Sequence, residues 1–506
     1  MTPRRAPTNG DLDTERSGNG VEPKPLRPSV DPVRFLTRSV LPWVIMATLV
    51  GRVLANAAMP LSNTDTFFHL RFGAQFLDGT WKPWHTGHLT TFESAHWAPT
   101  EWLSEVIMAA AERAFGLAGV AWLAGLLYVG LVAIWFLIAR RYTEPLAAAM
   151  ITALALMASA GFVSMRPQVV SFLLITVTTE AWLRSVESRR PPWWLVPVMW
   201  FWAMLHGMWP IGILIGLAAV VAAAAINGRR SAMALLPVPV AQAVVAACTP
   251  VGPRLYHAVL QVDSRGKYFT EWGPPDFKTV YGAAMLILLA IAVIAVARSR
   301  RIDPLTVLLV VGALAAAVYS QRTVPAAAAL LVPVLARLTG PQRDVTVPGS
   351  PPRRPRTSLL LGVAALGLAV LALVVPHTAD SPGVAPTWLD SALSKLPAGT
   401  VVDDNSGIGG YLLWAHPQLD LLAHGYGDVY TDAEIQRIGN IALLGPGWDA
   451  NLKATGATYA VQHSGSAVVY ALTGRGWEVV GSADGWALLR APAHWLDTAQ
   501  TAGTLR

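Results

Sequence analysis

Eleven apolar runs, most of them close to the length of one bilayer crossing, leave this 506-residue sequence very few folds to choose from. They lie near residues 40–59, 117–139, 145–163, 168–183, 192–206, 208–226, 232–248, 279–297, 303–320, 323–338 and 358–375. About twenty apolar residues at ~1.5 Å per residue cross the ~30 Å of bilayer hydrocarbon. No water is available there to satisfy the backbone, so each run must close its own hydrogen bonds as a helix. Charged residues make up only 14% of the chain, against about 25% in a soluble domain. The expected fold is a polytopic α-helical membrane protein with about 11 transmembrane helices.

The charges then set the orientation. Net charge is +7, but the cations sit in short connections rather than on one folded face, so no nucleic-acid partner is expected. Arg34 and Arg38 precede the first run. Arg140 and Arg141, then Arg184, Arg189 and Arg190, then Arg229 and Arg230 follow in alternate connections. Arg298, Arg300, Arg301, Arg337, Arg343, Arg353, Arg354 and Arg356 continue the series. With eleven helices all of these fall on one side, which the positive-inside rule makes cytoplasmic. The expectation is a multi-pass plasma-membrane protein with a cytoplasmic N-terminus. Residues 1–38, rich in Pro, Gly, Arg and acids, read as a disordered cytoplasmic tail, and 41–59 as an uncleaved signal anchor. Cys248 is the single cysteine, which excludes an internal disulfide and a Cys-based metal site.

The opposite side receives the chemistry. The first outer loop, 60–116, holds Asp65 and His69 four residues apart, on one face of a helix. His85, His88, Glu93, His96 and Glu101 follow, interleaved with Phe67, Phe68, Trp81, Trp84, Trp97 and Trp102. Aromatic bodies beside acids and imidazoles suit a membrane surface that holds a polar group and a lipid chain together. An interfacial aromatic belt with solvated histidines accounts for the same residues. Arg166 and Gln168 fall at another outer turn, His206 in the turn LHG, Glu271 and Asp276 in the loop 249–278, and Arg322 in a last outer turn. Ionisable groups this close to lipid generally face a cavity or a partner.

Beyond residue 375 the composition turns mixed and polar. Residues 376–506 read as a small extracytoplasmic α/β domain. Strands are expected at 400–402, 419–422 and 457–461, with a hairpin over 476–490 turning at Asp484–Gly485. Helical pieces are expected at 386–395, 411–414 and 432–441. The run Gly407–Ile408–Gly409–Gly410 reads as a tight turn. It lacks the spacing of a dinucleotide fingerprint.

Seven stretches carry a resemblance: DTFFHLRFG from Asp65, TEWL from Thr100, RPQ from Arg166, LHG from Leu205, TPVG from Thr249, EWGPPDF from Glu271 and GGYLLW from Gly409. Together they resemble a poorly characterised bacterial group within the GT-C superfamily of membrane glycosyltransferases, over most of residues 40–490. The pattern departs at Phe67 and Phe68, which replace tryptophans, at Thr100, where His is usual, and at Thr249, where Asn is usual. Asn63 also leaves incomplete the acidic pair common in GT-C first loops.

The resemblance implies a transmembrane GT-C-like domain over 39–375 and a donor made of a sugar on polyprenyl phosphate. The acceptor would be a hydroxyl of an envelope glycan, lipid or protein on the outer face. Asp65 becomes the catalytic base, or the ligand of a divalent cation (Mg or Mn) if one is used. His69 assists with the proton or the phosphate. Arg166 and Arg322 clamp phosphate oxygens. Glu271 and Asp276 position acceptor hydroxyls, and Glu101, Gln168 and His206 complete the substrate site. The alternative function is a non-catalytic membrane protein that binds or transports a lipid-linked or envelope glycan.

Overall fold

A computed structural model describes residues 36–93, 97–299, 303–340, 357–404 and 406–496. The expected tail 1–35, His96, and Arg300, Arg301, Arg343, Arg353, Arg354 and Arg356 lie outside the described residues. Among the described residues, nine helices are long and apolar enough to cross a membrane: Leu36–Ala57, Trp102–Ala139, Pro145–Phe162, Gln168–Ser188, Pro210–Asn227, Arg229–Ala247, Val280–Arg298, Gln321–Thr339 and Leu360–Thr378. Two further apolar helices, Leu195–Leu205 and Pro304–Tyr319, correspond to the remaining two expected runs. At ~1.5 Å per residue these two reach only about 16 and 24 Å, short of the hydrocarbon thickness. The first stops at His206, and Pro210 begins the next helix.

The helix Val324–Thr339 fills the bundle centre. Every residue from Val324 to Ala336 is buried. Four consecutive alanines, Ala326–Ala329, let neighbouring backbones approach, as small residues do between membrane helices. Thr176 donates to the Ala329 carbonyl at 2.8 Å and accepts from the Trp135 indole at 2.8 Å. Three helices are thereby fixed by bonds that have no water to compete for them.

The loop 60–116 contains two helices of its own. Thr64–Leu77 is one. The other is the start of Trp102–Ala139, set off from the membrane portion by Gly116, whose φ of 63° and ψ of −163° break the helix. The two pack closely: a Cβ at Gly73 would lie 2.0 Å from the Glu105 carbonyl oxygen.

The C-terminal residues form a five-stranded sheet, β1 Val401–Asp404, β2 Asp420–Leu421, β3 Tyr459–His463, β4 Glu478–Ala483 and β5 Trp486–Arg490. Its order is β2-β1-β3-β5-β4. β1 is parallel to β2 and β3, and β5 is antiparallel to β3 and β4. The β4–β5 turn places Asp484 and Gly485 at φ 52° and 82°, the left-handed pair that an Asp-Gly hairpin favours. The expected tight turn at Gly407–Gly410 is instead part of the helix Ser406–Ala415. The glycines serve close packing there. A Cβ on Gly410 would fall 2.5 Å from the Thr64 carbonyl oxygen. Phe67 meets Tyr411 and Trp414 at ring distances of 5.2 and 5.1 Å. The amide of Thr91 donates to the Leu421 carbonyl at 3.0 Å, so the loop 60–116 extends the sheet edge. The small domain is thereby seated on the helix that carries Asp65.

Candidate active site

Asn63 caps the helix Thr64–Leu77, accepting from the Asp65 amide at 2.9 Å and donating to Ser164 Oγ at 3.2 Å. Thr66 Oγ1 donates to the Met165 carbonyl at 2.8 Å. The helix start is therefore pinned to the turn that carries Arg166. An acid in a first helical turn also complements the macrodipole. Asp65 Oδ2 meets Arg166 Nη2 at 2.6 Å. Arg166 Nη2 lies 3.4 Å from Glu271, and Glu271 also pairs with Arg322. The Arg322 guanidinium stacks over Trp272 at 5.4 Å. Asp65, Arg166, Glu271 and Arg322 thus alternate in sign along one wall of a cavity of about 240 Å³.

The opposite wall is buried. His69 Nδ1 lies 2.9 Å from Glu105 Oε1, and His69 Nε2 lies 3.6 Å from Glu101 Oε2. Glu101 Oε1 lies 3.2 Å from His206 Nε2. His206 Nδ1 accepts from the Met208 amide at 3.2 Å and lies 2.9 Å from Ser171 Oγ, which takes the Trp202 indole N–H at 2.8 Å. That leaves the His206 proton on Nε2, directed at Glu101. All five side chains that carry this relay are buried.

Burial separates the charge states of the two walls. It raises Asp65 above the ordinary carboxylate range, an effect that Arg166 opposes. Glu271 is also pushed up by burial, but Arg322 and Arg166 outweigh this and hold it below its usual value. Glu101 is pushed up to about 8, mainly by burial. Burial, with Arg166 and Arg322 nearby, lowers both His69 and His206 well below the usual imidazole value. The arginines keep Glu271 ionised on one wall, and the imidazoles of the other are neutral at neutral pH.

The cavity brings together Asp65, His69, Glu101, Arg166, Gln168, His206, Glu271 and Arg322. Asp276 is not among its lining residues. Its carboxylate accepts from the Lys278 amide at 2.8 Å, and its carbonyl accepts from Thr279 Oγ1 at 2.8 Å, so it builds the turn into the helix Val280–Arg298. Gln168 donates to the Phe162 carbonyl at 2.9 Å and so braces the Arg166 turn. No sequence signal points to the roof. Gly425, Tyr426, Gly427 and Asp428 reach over the cavity from the small domain. Tyr426 stacks on Phe68 at 5.0 Å. Beneath the roof His424 pairs with Glu93, both side chains fully buried. Glu105 and Ser171 were also missed.

A divalent cation finds no prepared donor set. Among the described residues no three His, Cys, Asp or Glu side chains converge as metal ligands. Asp65 and Glu271 are both engaged by arginine.

The fold of the chain is similar to that of the oligosaccharyltransferase AglB from Archaeoglobus fulgidus, solved with an inhibitory peptide and a dolichol-phosphate. The TM-score is 0.52 at 11% identity, over 83% of this chain and 69% of the other. The apo form of the Archaeoglobus fulgidus oligosaccharyltransferase gives 0.52 at 11%, over 85% and 70%. ArnT from Cupriavidus metallidurans, bound to undecaprenyl phosphate, gives 0.48 at 15%, over 90% and 98%. No family model matches the sequence, and no curated protein does. The fold is GT-C-like: a multi-pass membrane helical bundle with a small C-terminal sheet domain.

Proposed function

We propose that the chain transfers a sugar from a polyprenyl-phosphate-linked donor to a hydroxyl of an envelope glycan, lipid or protein, in the cavity between the outer loops and the small domain. The observation that carries this reading is Asp65, fixed at 2.6 Å from Arg166 at the mouth of a cavity with a second arginine, Arg322, on the same wall. Transfer forms a bond from the acceptor oxygen to the anomeric carbon and breaks the bond from that carbon to the phosphate oxygen. The acceptor proton goes to Asp65 as general base. The departing polyprenyl phosphate gains negative charge, which Arg166 and Arg322 neutralise. Glu271 holds both guanidinia in place before the phosphate arrives. His69, with both ring nitrogens facing buried carboxylates, acts as a positioning residue through Glu101. By the arginine bias the cavity and the small domain lie outside and the N-terminus inside.

The carrier reading also has an observation in its favour. Asp65 is already neutralised by Arg166, and Asn63, where a second acid would be expected, is spent as a helix cap. The test is sugar turnover from polyprenyl phosphate in proteoliposomes. Asp65→Asn should lose about 10²–10⁴ in rate with folding and lipid binding retained, and EDTA should leave the wild-type rate unchanged. Wild-type turnover in Asp65→Asn would remove Asp65 as the base, and absence of turnover by the wild-type protein would move the reading to the carrier.

A further inference from the structure

At the far end of the same helices lies a second cavity, of about 570 Å³. The helix Gln168–Ser188 starts at the candidate site and ends here, 21 residues later, or about 30 Å away. The helix Trp102–Ala139 likewise starts beside Glu101 and ends here.

Each helix presents the same sequence of chemistry to the cavity. Ile134, Leu137 and Ile138 fall at helical spacing and are followed in step by Arg141. Val177 and Ala181 are followed by Arg184. Each stretch is thus mainly apolar for about one turn and then cationic. Arg190 and Trp194 close the cationic end. The adjacent Trp193 is exposed, as aromatic residues are at a membrane–water boundary.

One acid lines the cavity. Glu180 accepts from the Tyr142 hydroxyl at 2.6 Å and sits 3.5 Å from both Arg141 and Arg337, so its charge is answered. Arg184 and Arg190 are exposed and make no hydrogen bond or ion pair with another described residue.

We infer that this cavity binds one anionic phospholipid from the leaflet opposite the candidate site, its phosphate held by Arg184 and Arg190 and its acyl chain lying along the Ile134–Val177 trough. The occupant follows from the shape of the charge. Free phosphate would use the arginines but not the trough, and a zwitterionic lipid would use the trough but bring a cation to the arginines. Basic pockets between membrane helices hold anionic head groups for the same reason.

The test is lipid retention by purified protein in mild detergent, read by native mass spectrometry with phosphatidylglycerol and phosphatidylcholine supplied equally. Phosphatidylglycerol should be retained preferentially. Arg184→Gln with Arg190→Gln should weaken its retention about thirtyfold, since each cation near the headgroup contributes about fivefold. Ala181→Phe keeps every arginine but fills the trough, and should weaken retention as well. sn-Glycerol 1-phosphate at equal concentration should not displace the lipid. Undiminished phosphatidylglycerol in the double arginine variant would overturn the inference. So would equal retention of phosphatidylcholine, or displacement by glycerol phosphate. If the double variant unfolds earlier than wild type, Ala181→Phe decides: undiminished retention there overturns the inference, and loss supports it.

Discussion

The two walls of the candidate cavity hold similar residues to opposite effect. On one, Asp65, Arg166, Glu271 and Arg322 are partly open to solvent, with side-chain exposures of 15–29%, and every charge has a partner of opposite sign. On the other, His69, Glu101 and His206 are almost wholly enclosed, at 7% or less, and burial drives their imidazoles neutral. Each wall draws on the loop 60–116 and on turns between the bundle helices, so origin in the chain does not explain the difference. Arginine does for Glu271: it stays charged when buried and holds that carboxylate below its usual value, whereas Glu101, beside imidazoles, is raised by burial to about 8. On the proposed function, the first wall meets the donor phosphate.

Variants that exchange these properties test the contrast. Arg322→Gln removes one donor from the ionic wall and should cost about 10²–10³ in transfer rate, with a smaller loss in donor binding. A loss below twofold would remove that wall from the chemistry. Glu101→Gln alters the buried wall and should cost only about tenfold in rate, with its main effect on stability against pH. Glu101 is raised from 4.5 to about 8 in the folded protein, so folding favours its protonated form. That stability is complete below about pH 4.5 and is lost as pH rises through about 8. His69 and His206, lowered well below 6.5, act with the opposite sign at lower pH, so the wild-type thermal midpoint should fall mainly between about pH 6.5 and 8. Glu101→Gln should flatten the fall in part only, because Asp403 and Asp404, both raised to about 7 by burial, act with the same sign. An unchanged slope would mean that Glu101 is ionised in the folded protein.

Gly410→Ala acts on both walls through their common support. The new methyl meets the Thr64 carbonyl, and overpacking of this kind costs about 1–3 kcal/mol. The midpoint should drop, and transfer should slow a fewfold as Asp65 shifts. Asp276→Ala lies outside both walls. It should change stability by about 0.5 kcal/mol and leave transfer unchanged. A large loss of transfer there would mean that the cavity extends to the Val280–Arg298 turn.

Much of this was legible in the sequence because the signals are local. Apolar run length marks a membrane helix, and all eleven expected runs appear as apolar helices, nine of them long enough to span. Asp65, His69 and Glu101 stood out because they cluster within one loop, and Arg166 and Arg322 because arginine is costly near lipid. The roof was not legible. Gly425–Asp428 lies some 360 residues after Asp65, and its glycines signal only a turn. Gly407–Gly410 was misread for a related reason: glycine disfavours an isolated helix, yet here it lets one helix lie against another. Asp276 drew attention through its neighbour Glu271, but five residues along a turn were enough to point it away.

The most direct test of the central claim is a count of events per molecule. Wild-type protein in proteoliposomes, given polyprenyl-phosphate-linked sugar and an acceptor, should consume many donors per copy and release free polyprenyl phosphate. Donor uptake that saturates at one per copy, with no polyprenyl phosphate released, would contradict the account and leave the cavity a binding site.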